Sequence, residues 1–237
     1  MSLRRLLLPL ACLLIPASCS DFSLPLAARV QPTGPHFLRW APTADLQFEV
    51  IGAAEVGAAF KRGGPLVSLV GGESGAASAS TGLAPALDAY AVTFWAVEGR
   101  ERTVQINYIS GGVKAPFLSF TAREPDWVPG RGDLQSGDSV LITIRLDSLT
   151  VGAHFEPEGL KFDKASTLKI WYGGVSGDLN GDGLVNNYDT YIESNLLGMW
   201  YRGTSTSAWQ QYNATKSLAE KSITTTVWHF SDYAVSW

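Results

Sequence analysis

The chain has 237 residues, of which 46% are hydrophobic and 17% are charged, and its formal net charge at pH 7 is -4. A chain of this length buries a substantial core, either as one large domain or as two small ones. Because the net charge is negative and no run of basic residues occurs, the composition excludes the usual features of a nucleic-acid-binding protein.

Residues 1 to 18 have the features of a signal peptide. Arg4 and Arg5 form a positive amino-terminal region, and the stretch from Leu6 to Ile15 is apolar. This stretch is too short to span a bilayer, which takes about 20 residues, but it fits the apolar part of a signal peptide. The pattern therefore predicts secretion across the inner membrane.

Cys19 is a candidate lipidation site. It follows Pro16, Ala17 and Ser18, and small residues before a cysteine resemble a bacterial lipoprotein box, in which the cysteine becomes the lipidated amino terminus. The resemblance implies a protein of the cell envelope or its exterior that touches the membrane only through a lipid anchor; simple cleavage and release is the alternative. Cys12 leaves with the signal peptide, so the secreted chain has no internal disulfide.

The rest of the chain divides by composition. Residues 19 to 36 contain several prolines and little periodicity, and we interpret them as a tether. Residues 37 to 104 are predicted to be a β-rich amino-terminal part, either a separate domain or a part of the same one. Residues 105 to 237 are predicted to form a β-sandwich with an insert at residues 176 to 198.

Well-patterned strands begin after Tyr90. The segments AVTFWAV and TVQINYI are predicted to pair as a β-hairpin around a turn at Glu98 to Arg100. The segment DSVLITIRLD alternates apolar and polar residues from Val140 to Leu146, which is the period of a half-buried strand. Such strands, separated by Gly, Pro and Asp turns, predict a mainly β protein with an antiparallel, immunoglobulin-like β-sandwich.

One helix is predicted inside this β-rich pattern. It begins within residues 176 to 189 and runs to about Leu197, with Tyr188, Ile192 and other apolar residues on one side at helical spacing. Gly198 occupies the position of a carboxy-terminal cap.

The loop before this helix reads DLNGDGLVNNYD. Counted from its first aspartate, oxygen-bearing side chains occupy positions 1, 3, 5, 9 and 12, and a glycine at position 6 permits a sharp turn. Calcium takes about six to eight oxygen ligands from carboxylates, amides, carbonyls and water. The candidate Ca²⁺ ligands are the side chains of Asp178, Asn180, Asp182, Asn186 (through a water) and Asp189, and the carbonyl of Leu184.

This loop resembles an EF-hand loop, and more specifically the calcium loop of type I dockerins, which a helix follows but does not precede. The resemblance implies Ca²⁺ as the cofactor, with Val185 facing the core as an anchor. Dockerins carry two such repeats and this chain has one, so a structural insert is favoured over docking to a cohesin. A short Asp189 at position 12, where many EF-hands have Glu, indicates micromolar to about millimolar affinity. A metal-free Asp/Asn/Gly turn is the alternative.

Two motifs in the carboxy-terminal half, HFEPEGLKF at residues 154 to 162 and HFSDYAV at residues 229 to 235, form a second resemblance. They resemble the β-sandwich domain shared by ankyrins, netrin receptors and zona-occludens proteins, and bacterial envelope proteins related to it. Some members cut their own backbone within an HFS triplet. The resemblance implies His229 as base, Ser231 as nucleophile and Phe230 as the residue that loses its peptide bond. A packing role for the triplet is favoured, and self-cleavage is the alternative.

The remaining hypotheses concern surface residues. Trp200 and Trp209 have polar neighbours and are candidates to stack on sugar rings, which would make the protein a carbohydrate-binding module with a glycan partner. His154 with Glu156 and Glu158 forms either a metal-binding face or, as is favoured, an ordinary surface group. No hydrolase motif occurs. The sequence thus predicts a calcium-stabilised, non-enzymatic binding or structural module of the envelope, with an unidentified envelope or extracellular partner.

Overall fold

A computed structural model of the chain describes residues 34–39, 47–51, 67–70, 91–110, 113–146 and 150–237. The signal peptide, Cys19 and most of the tether lie outside the described residues. All of the described residues belong to one compact unit. No helix in the described part is long and apolar enough to cross a membrane.

The described residues are mostly β-strand, with one short helix. Helix α1 spans Asn187–Tyr191 and continues as a π-helical turn over Ile192–Leu196. The strands are β1 (Gln47–Ile51), β2 (Val67–Val70), β3 (Ala91–Val97), β4 (Arg102–Ser110), β5 (Val113–Ala122), β6 (Pro125–Val128), β7 (Gly132–Asp133), β8 (Ser139–Leu146), β9 (Gly152–Glu156), β10 (Lys161–Trp171), β11 (Gly198–Arg202), β12 (Gln210–Tyr212), β13 (Ala214–Ser217), β14 (Ser222–His229) and β15 (Asp232–Ser236).

These strands form two antiparallel sheets. The first sheet has the order β1-β4-β5-β10-β14-β13, and β6 joins it through β10 and pairs with β7. The second sheet has the order β12-β11-β15-β9-β8-β3-β2. The prediction of a mainly β protein with antiparallel sheets is therefore confirmed.

Strands β3 and β4 form where the alternation predicts them, but the prediction that they pair as a hairpin is wrong. β3 pairs with β2 and β8 in the second sheet, whereas β4 pairs with β1 and β5 in the first. In the β3–β8 register, Phe94 lies opposite Ile142 and Val92 opposite Ile144. Cross-strand contacts stabilise a sheet, so these apolar pairs favour the pairing of β3 with β8. The turn after β3 therefore carries the chain into the first sheet and does not form a hairpin with β4. Gly99, with φ of 77°, makes that turn.

Phenylalanines from both sheets meet at the centre of one hydrophobic cluster. The Phe120 ring of β5 lies 5.2 Å from Phe155 of β9 and 5.5 Å from Phe230, which follows β14. Phe162 of β10 lies 5.1 Å from Phe230. Aromatic pairs at such distances contribute about 0.5–1.5 kcal/mol beyond their buried area. The phenylalanines of HFEPEGLKF and HFSDYAV thus pack on one another and hold the sheets together.

The helix extends as predicted, but its end differs from the prediction. Gly198 is the first residue of β11 and not a cap, and Leu197 ends the π-helical turn with an extended backbone, at φ -61° and ψ 130°. Among the apolar residues predicted to lie on one side of the helix, Ile192 is fully buried, whereas Tyr191 is 51% exposed. The helix therefore packs through a narrow stripe, which increases the importance of the polar contacts that hold it.

Candidate calcium site

The loop from Asp178 to Asp189 folds around the carboxylate of its first residue. Asp178 Oδ1 accepts hydrogen bonds from the backbone N–H groups of Gly181 (2.8 Å) and Asp182 (3.1 Å), and its Oδ2 accepts one from Gly183 (2.8 Å). Gly181 and Gly183 have φ values of 74° and 86°, a conformation that glycine adopts without a side-chain penalty. The glycines at positions 4 and 6 therefore turn three N–H groups toward position 1.

The side chains at positions 3 and 5 lie against each other in the same turn. Asn180 Oδ1 accepts from Asp182 N–H at 3.0 Å, and Asn180 Nδ2 donates to Asp182 Oδ2 at 2.8 Å. Asp182 Oδ1 accepts from Leu184 N–H at 2.9 Å. A carboxylate offers about four acceptor positions, so Asp182 keeps acceptor capacity for a cation beyond these bonds.

Position 12 closes the loop from the first turn of α1. Asp189 Oδ1 accepts from the N–H groups of Leu179 (2.7 Å) and Asn180 (3.3 Å), and its Oδ2 accepts from Asn186 N–H (2.8 Å). Asn186 Oδ1 accepts in turn from Tyr188 N–H (2.7 Å). The Asn186 side chain also accepts from the backbone N–H of Asp189, which completes a capping box. Asp189 is 3% exposed. Burial opposes its charge, but the backbone donors outweigh burial and hold the pKa of Asp189 below its usual value.

The loop is tied to the rest of the protein through Trp237. Trp237 Nε1 donates to the Leu179 carbonyl at 3.2 Å, and the indole lies edge-on to Tyr188 with ring centroids 6.3 Å apart. The prediction that Val185 faces the core is wrong, because its side chain is 74% exposed. Trp237 supplies the anchor that the resemblance assigned to Val185.

A lysine of the first sheet caps the end of the helical segment. Lys216 Nζ of β13 donates to the carbonyls of Glu193 (2.6 Å), Ser194 (3.0 Å) and Leu197 (3.0 Å). The last carbonyls of a helix have no partner within the helix, and a positive charge is favourable there. Glu193 also accepts through its side chain from Tyr172 Oη at 3.1 Å and pairs with Lys221. These bonds attach the insert to the sheet.

The Lys216→Met substitution is expected to lower the free energy of unfolding by about 1–3 kcal/mol, because it removes a charged donor from three carbonyls. Urea denaturation followed by tryptophan fluorescence measures the loss. Lys164→Met is the matched control, since Lys164 forms a surface ion pair with Glu124 and its loss is expected to leave the free energy of unfolding nearly unchanged. Equal effects of the two substitutions would contradict the capping role.

The structure brings the predicted ligands Asp178, Asn180 and Asp182 into direct contact, and Asp189 and Asn186 bond each other at the start of the helix. Leu184, whose carbonyl is the expected ligand at position 7, has a side chain that is 66% exposed. Within the described ranges, no three Asp, Glu, His or Cys side chains cluster in a metal-binding arrangement. The three candidate carboxylates of Asp178, Asp182 and Asp189 are therefore not gathered into such an arrangement in this structure.

The HFS triplet lies where the chain passes from β14 in the first sheet to β15 in the second. Phe230 N–H donates to the Leu160 carbonyl at 2.8 Å, and the Phe230 carbonyl accepts from Gly159 N–H at 3.1 Å. Ser231 Oγ is buried and has no hydrogen-bond partner among the described residues. His229 therefore makes no hydrogen bond to the hydroxyl that it would have to activate in self-cleavage.

A second group of charged residues lies on the second sheet, and of these residues the sequence singled out only His154 and Glu156. Arg202 of β11, Asp232 of β15, His154 of β9 and Arg145 of β8 are successive cross-strand neighbours in one row. His154 Nδ1 hydrogen-bonds Asp232 Oδ1, and Arg202 donates to Asp232 Oδ2 from Nε (2.8 Å) and Nη2 (2.5 Å). Arg145 binds Glu156 through two hydrogen bonds of 3.0 and 3.3 Å. We call Arg202, Asp232, His154 and Arg145 the charged row.

The members of the charged row stabilise one another's charges. Burial disfavours a charge on Asp232, but the hydrogen bonds from His154 and Arg202 outweigh it and lower the pKa of Asp232. The hydrogen bond to Asp232 raises the pKa of His154 against the opposing effect of burial, and Glu156 and Glu158 raise it further. His154 Nε2 lies 3.7 Å from Glu156 Oε1, so both ring nitrogens face carboxylates.

The two tryptophans proposed for sugar stacking have different surroundings. The Trp209 ring lies 4.9 Å from the Arg202 guanidinium and 4.9 Å, edge-on, from Phe37. Trp200 lies in β11 opposite Ala234, and its Nε1 is buried without a hydrogen-bond partner in the described part of the chain. Trp209 therefore borders the charged row.

No family model matches this chain, and no curated protein or solved structure matches it. Its function is therefore argued from its own side chains. Among the described residues, the loop from Asp178 to Asp189 and the charged row gather polar and charged side chains on which a function can rest.

Proposed function

We propose that the protein is a calcium-stabilised binding module of the cell envelope, secreted and held at the membrane by a lipid on Cys19, without catalytic activity. In this proposal the two sheets form an immunoglobulin-like β-sandwich around the phenylalanine cluster, and residues 176 to 198 form its calcium insert. The observation that carries the proposal is the turn around Asp178, in which backbone N–H groups fix one carboxylate beside the oxygens of Asn180 and Asp182.

The arrangement supports calcium in particular. Asp178, Asn180 and Asp182 share one short turn, and Asp189 accepts from the backbone of that turn at Leu179 and Asn180. Together with Asn186 they supply the mixture of carboxylates and amides that calcium accepts. Two glycines with positive φ and the backbone hydrogen bonds to Asp178 hold the turn. Because the secreted chain lacks an internal disulfide, bound calcium would stabilise the folded chain in the way that a disulfide would. The calcium concentration outside the cell is high enough to occupy a site of micromolar to about millimolar affinity.

Two observations support a role without catalysis. Ser231 lacks a hydrogen bond from a base among the described residues, and His154 directs Nε2 toward Glu156 and not toward a hydroxyl. Nucleophilic catalysis requires a base within hydrogen-bond reach of the nucleophile. His229 and His154 instead fit structural roles, His229 in packing and His154 in ion pairing.

Terbium luminescence tests the calcium site directly. Terbium binds oxygen-rich calcium sites, and we expect ultraviolet excitation to sensitise its emission through Tyr188 and Trp237, which contact the loop. Calcium should displace the ion, whereas magnesium should not at similar concentration, because magnesium requires near-ideal octahedral geometry. Asp178→Asn should abolish the emission, and Asp133→Asn, at an exposed position outside the loop, should keep it. Emission that survives in Asp178→Asn would place the ion elsewhere and contradict the site.

A further inference from the structure

A cleft of about 250 Å³ opens beside the charged row. Its apolar lining includes Ala153, Ala234 and the indole of Trp209, and Ser205 adds a hydroxyl. Sites for drug-sized ligands have volumes of about 300–1,000 Å³, so this cleft fits a smaller group, such as one ring of a longer chain.

The polar lining of the cleft is rich in donors. Arg202 uses Nε and Nη2 on Asp232, and Arg145 uses Nε and Nη2 on Glu156. A guanidinium has five N–H donors, and the Nη1 groups of both arginines make no hydrogen bond among the described residues, while the Arg202 guanidinium also lies 4.9 Å from the Trp209 ring. The two oxygens of Asp232 are both engaged, by His154 and by Arg202. The cleft therefore offers positive donors and few available acceptors.

The guanidinium donors of the cleft favour a ligand that accepts hydrogen bonds and carries a negative charge. A carboxylate presents two acceptor oxygens in the planar geometry that a guanidinium binds best, and charge-assisted hydrogen bonds of this kind are the strong ones. The arginines are held in place before binding, because Asp232 and Glu156 fix them, and a preorganised donor loses less entropy when the ligand arrives. The side chain of Arg202 is 29% exposed and that of Arg145 is 47% exposed, so a ligand can reach both.

The apolar lining selects a ring over a small free carboxylate. A pyranose ring has hydroxyls at its rim and apolar C–H faces, and such faces pack against small side chains and indole rings. A hexuronate combines this ring with one carboxylate. We infer that the cleft between Trp209 and the arginines of the charged row binds a hexuronate, as a free sugar or as a residue of an acidic polysaccharide. The inference rests on the proposed binding role and names its ligand class.

Calorimetric titration of the secreted protein, with calcium present, tests the inference. The probes are galacturonate, its linear trimer, neutral maltotriose and acetate, each up to about 10 mM, where a millimolar site would be nearly saturated. The uronates are expected to bind at least about tenfold more tightly than maltotriose and acetate, a difference of about 1.4 kcal/mol. Tighter binding of the trimer than of the monomer would identify a polysaccharide as the source, and equal binding would identify the free sugar. Equal binding of maltotriose or acetate, or no uronate binding, would overturn the inference.

Arg145→Gln supplies the matched variant. It removes one guanidinium from the cleft rim and is expected to weaken uronate binding about tenfold, as the loss of one charge-assisted pair does. Arg123→Gln is the control, because Arg123 forms a similar exposed pair with Glu101 at 2.8 Å on the first sheet. Unchanged binding in Arg145→Gln would overturn the assignment. Melting the same samples with and without calcium separates the two proposals, since lost uronate binding with an intact calcium shift refutes only the cleft.

Discussion

Millimolar calcium is expected to raise the melting temperature of the secreted protein by roughly 5–10 °C relative to excess EGTA. A ligand that binds only the folded chain stabilises it by RT ln(1 + [Ca]/Kd), which is about 2.7 kcal/mol at a hundredfold excess over Kd. In Asp178→Ala the shift should disappear, because this substitution removes a proposed ligand and the acceptor of three backbone N–H groups. Differential scanning calorimetry or a fluorescence melt measures the shift.

The control for this measurement is Asp133→Ala. Asp133 is an exposed aspartate of β7 outside the loop, so its removal changes the net charge equally and should leave the calcium shift intact. A shift that persists in Asp178→Ala would mean that calcium acts elsewhere on this acidic protein. The absence of any shift in the unsubstituted protein would leave the loop as a metal-free turn held by its own hydrogen bonds.

The strands were predictable from sequence because alternation is local. β8 shows this directly, since Val140, Ile142, Ile144 and Leu146 are buried as their spacing predicts. The partner of each strand was not predictable in the same way. β3 and β4 follow each other at a short turn yet belong to different sheets, because the apolar face of β3 matches that of β8. Pairing depends on the register of distant segments, which no local pattern contains.

The same distinction separates the two candidate sites. The candidate calcium ligands lie within one loop, so their spacing alone predicts them. The charged row draws on strands far apart in sequence: His154 and Asp232 are 78 residues apart. They meet only because four antiparallel strands align in one register. The error at Val185 has a related cause, since the residue that anchors the loop is Trp237, far along the chain.

In excess EGTA, Asp189→Ala is expected to lower the free energy of unfolding by about 2–4 kcal/mol, and Asp178→Ala by about 1 kcal/mol or less. Both carboxylates accept three backbone hydrogen bonds, but their settings differ. Asp189 is 3% exposed, so its loss leaves part-buried donors without an acceptor and removes the capping box. The donors to Asp178 are exposed, and water replaces the lost acceptor. Urea denaturation of both variants in EGTA measures the difference.

The Asp189→Asn substitution separates the structural role of this residue from its proposed role as a calcium ligand. Asparagine keeps one acceptor oxygen for the loop backbone but lacks the charge, so we expect an intermediate loss of stability in EGTA and a calcium shift clearly smaller than that of the unsubstituted protein. Equal, small losses for Asp189→Ala and Asp178→Ala in EGTA would contradict the structural role of position 12. The insert would then be held by Lys216, Glu193 and Trp237 alone, and Asp189 would contribute to stability only through the cation.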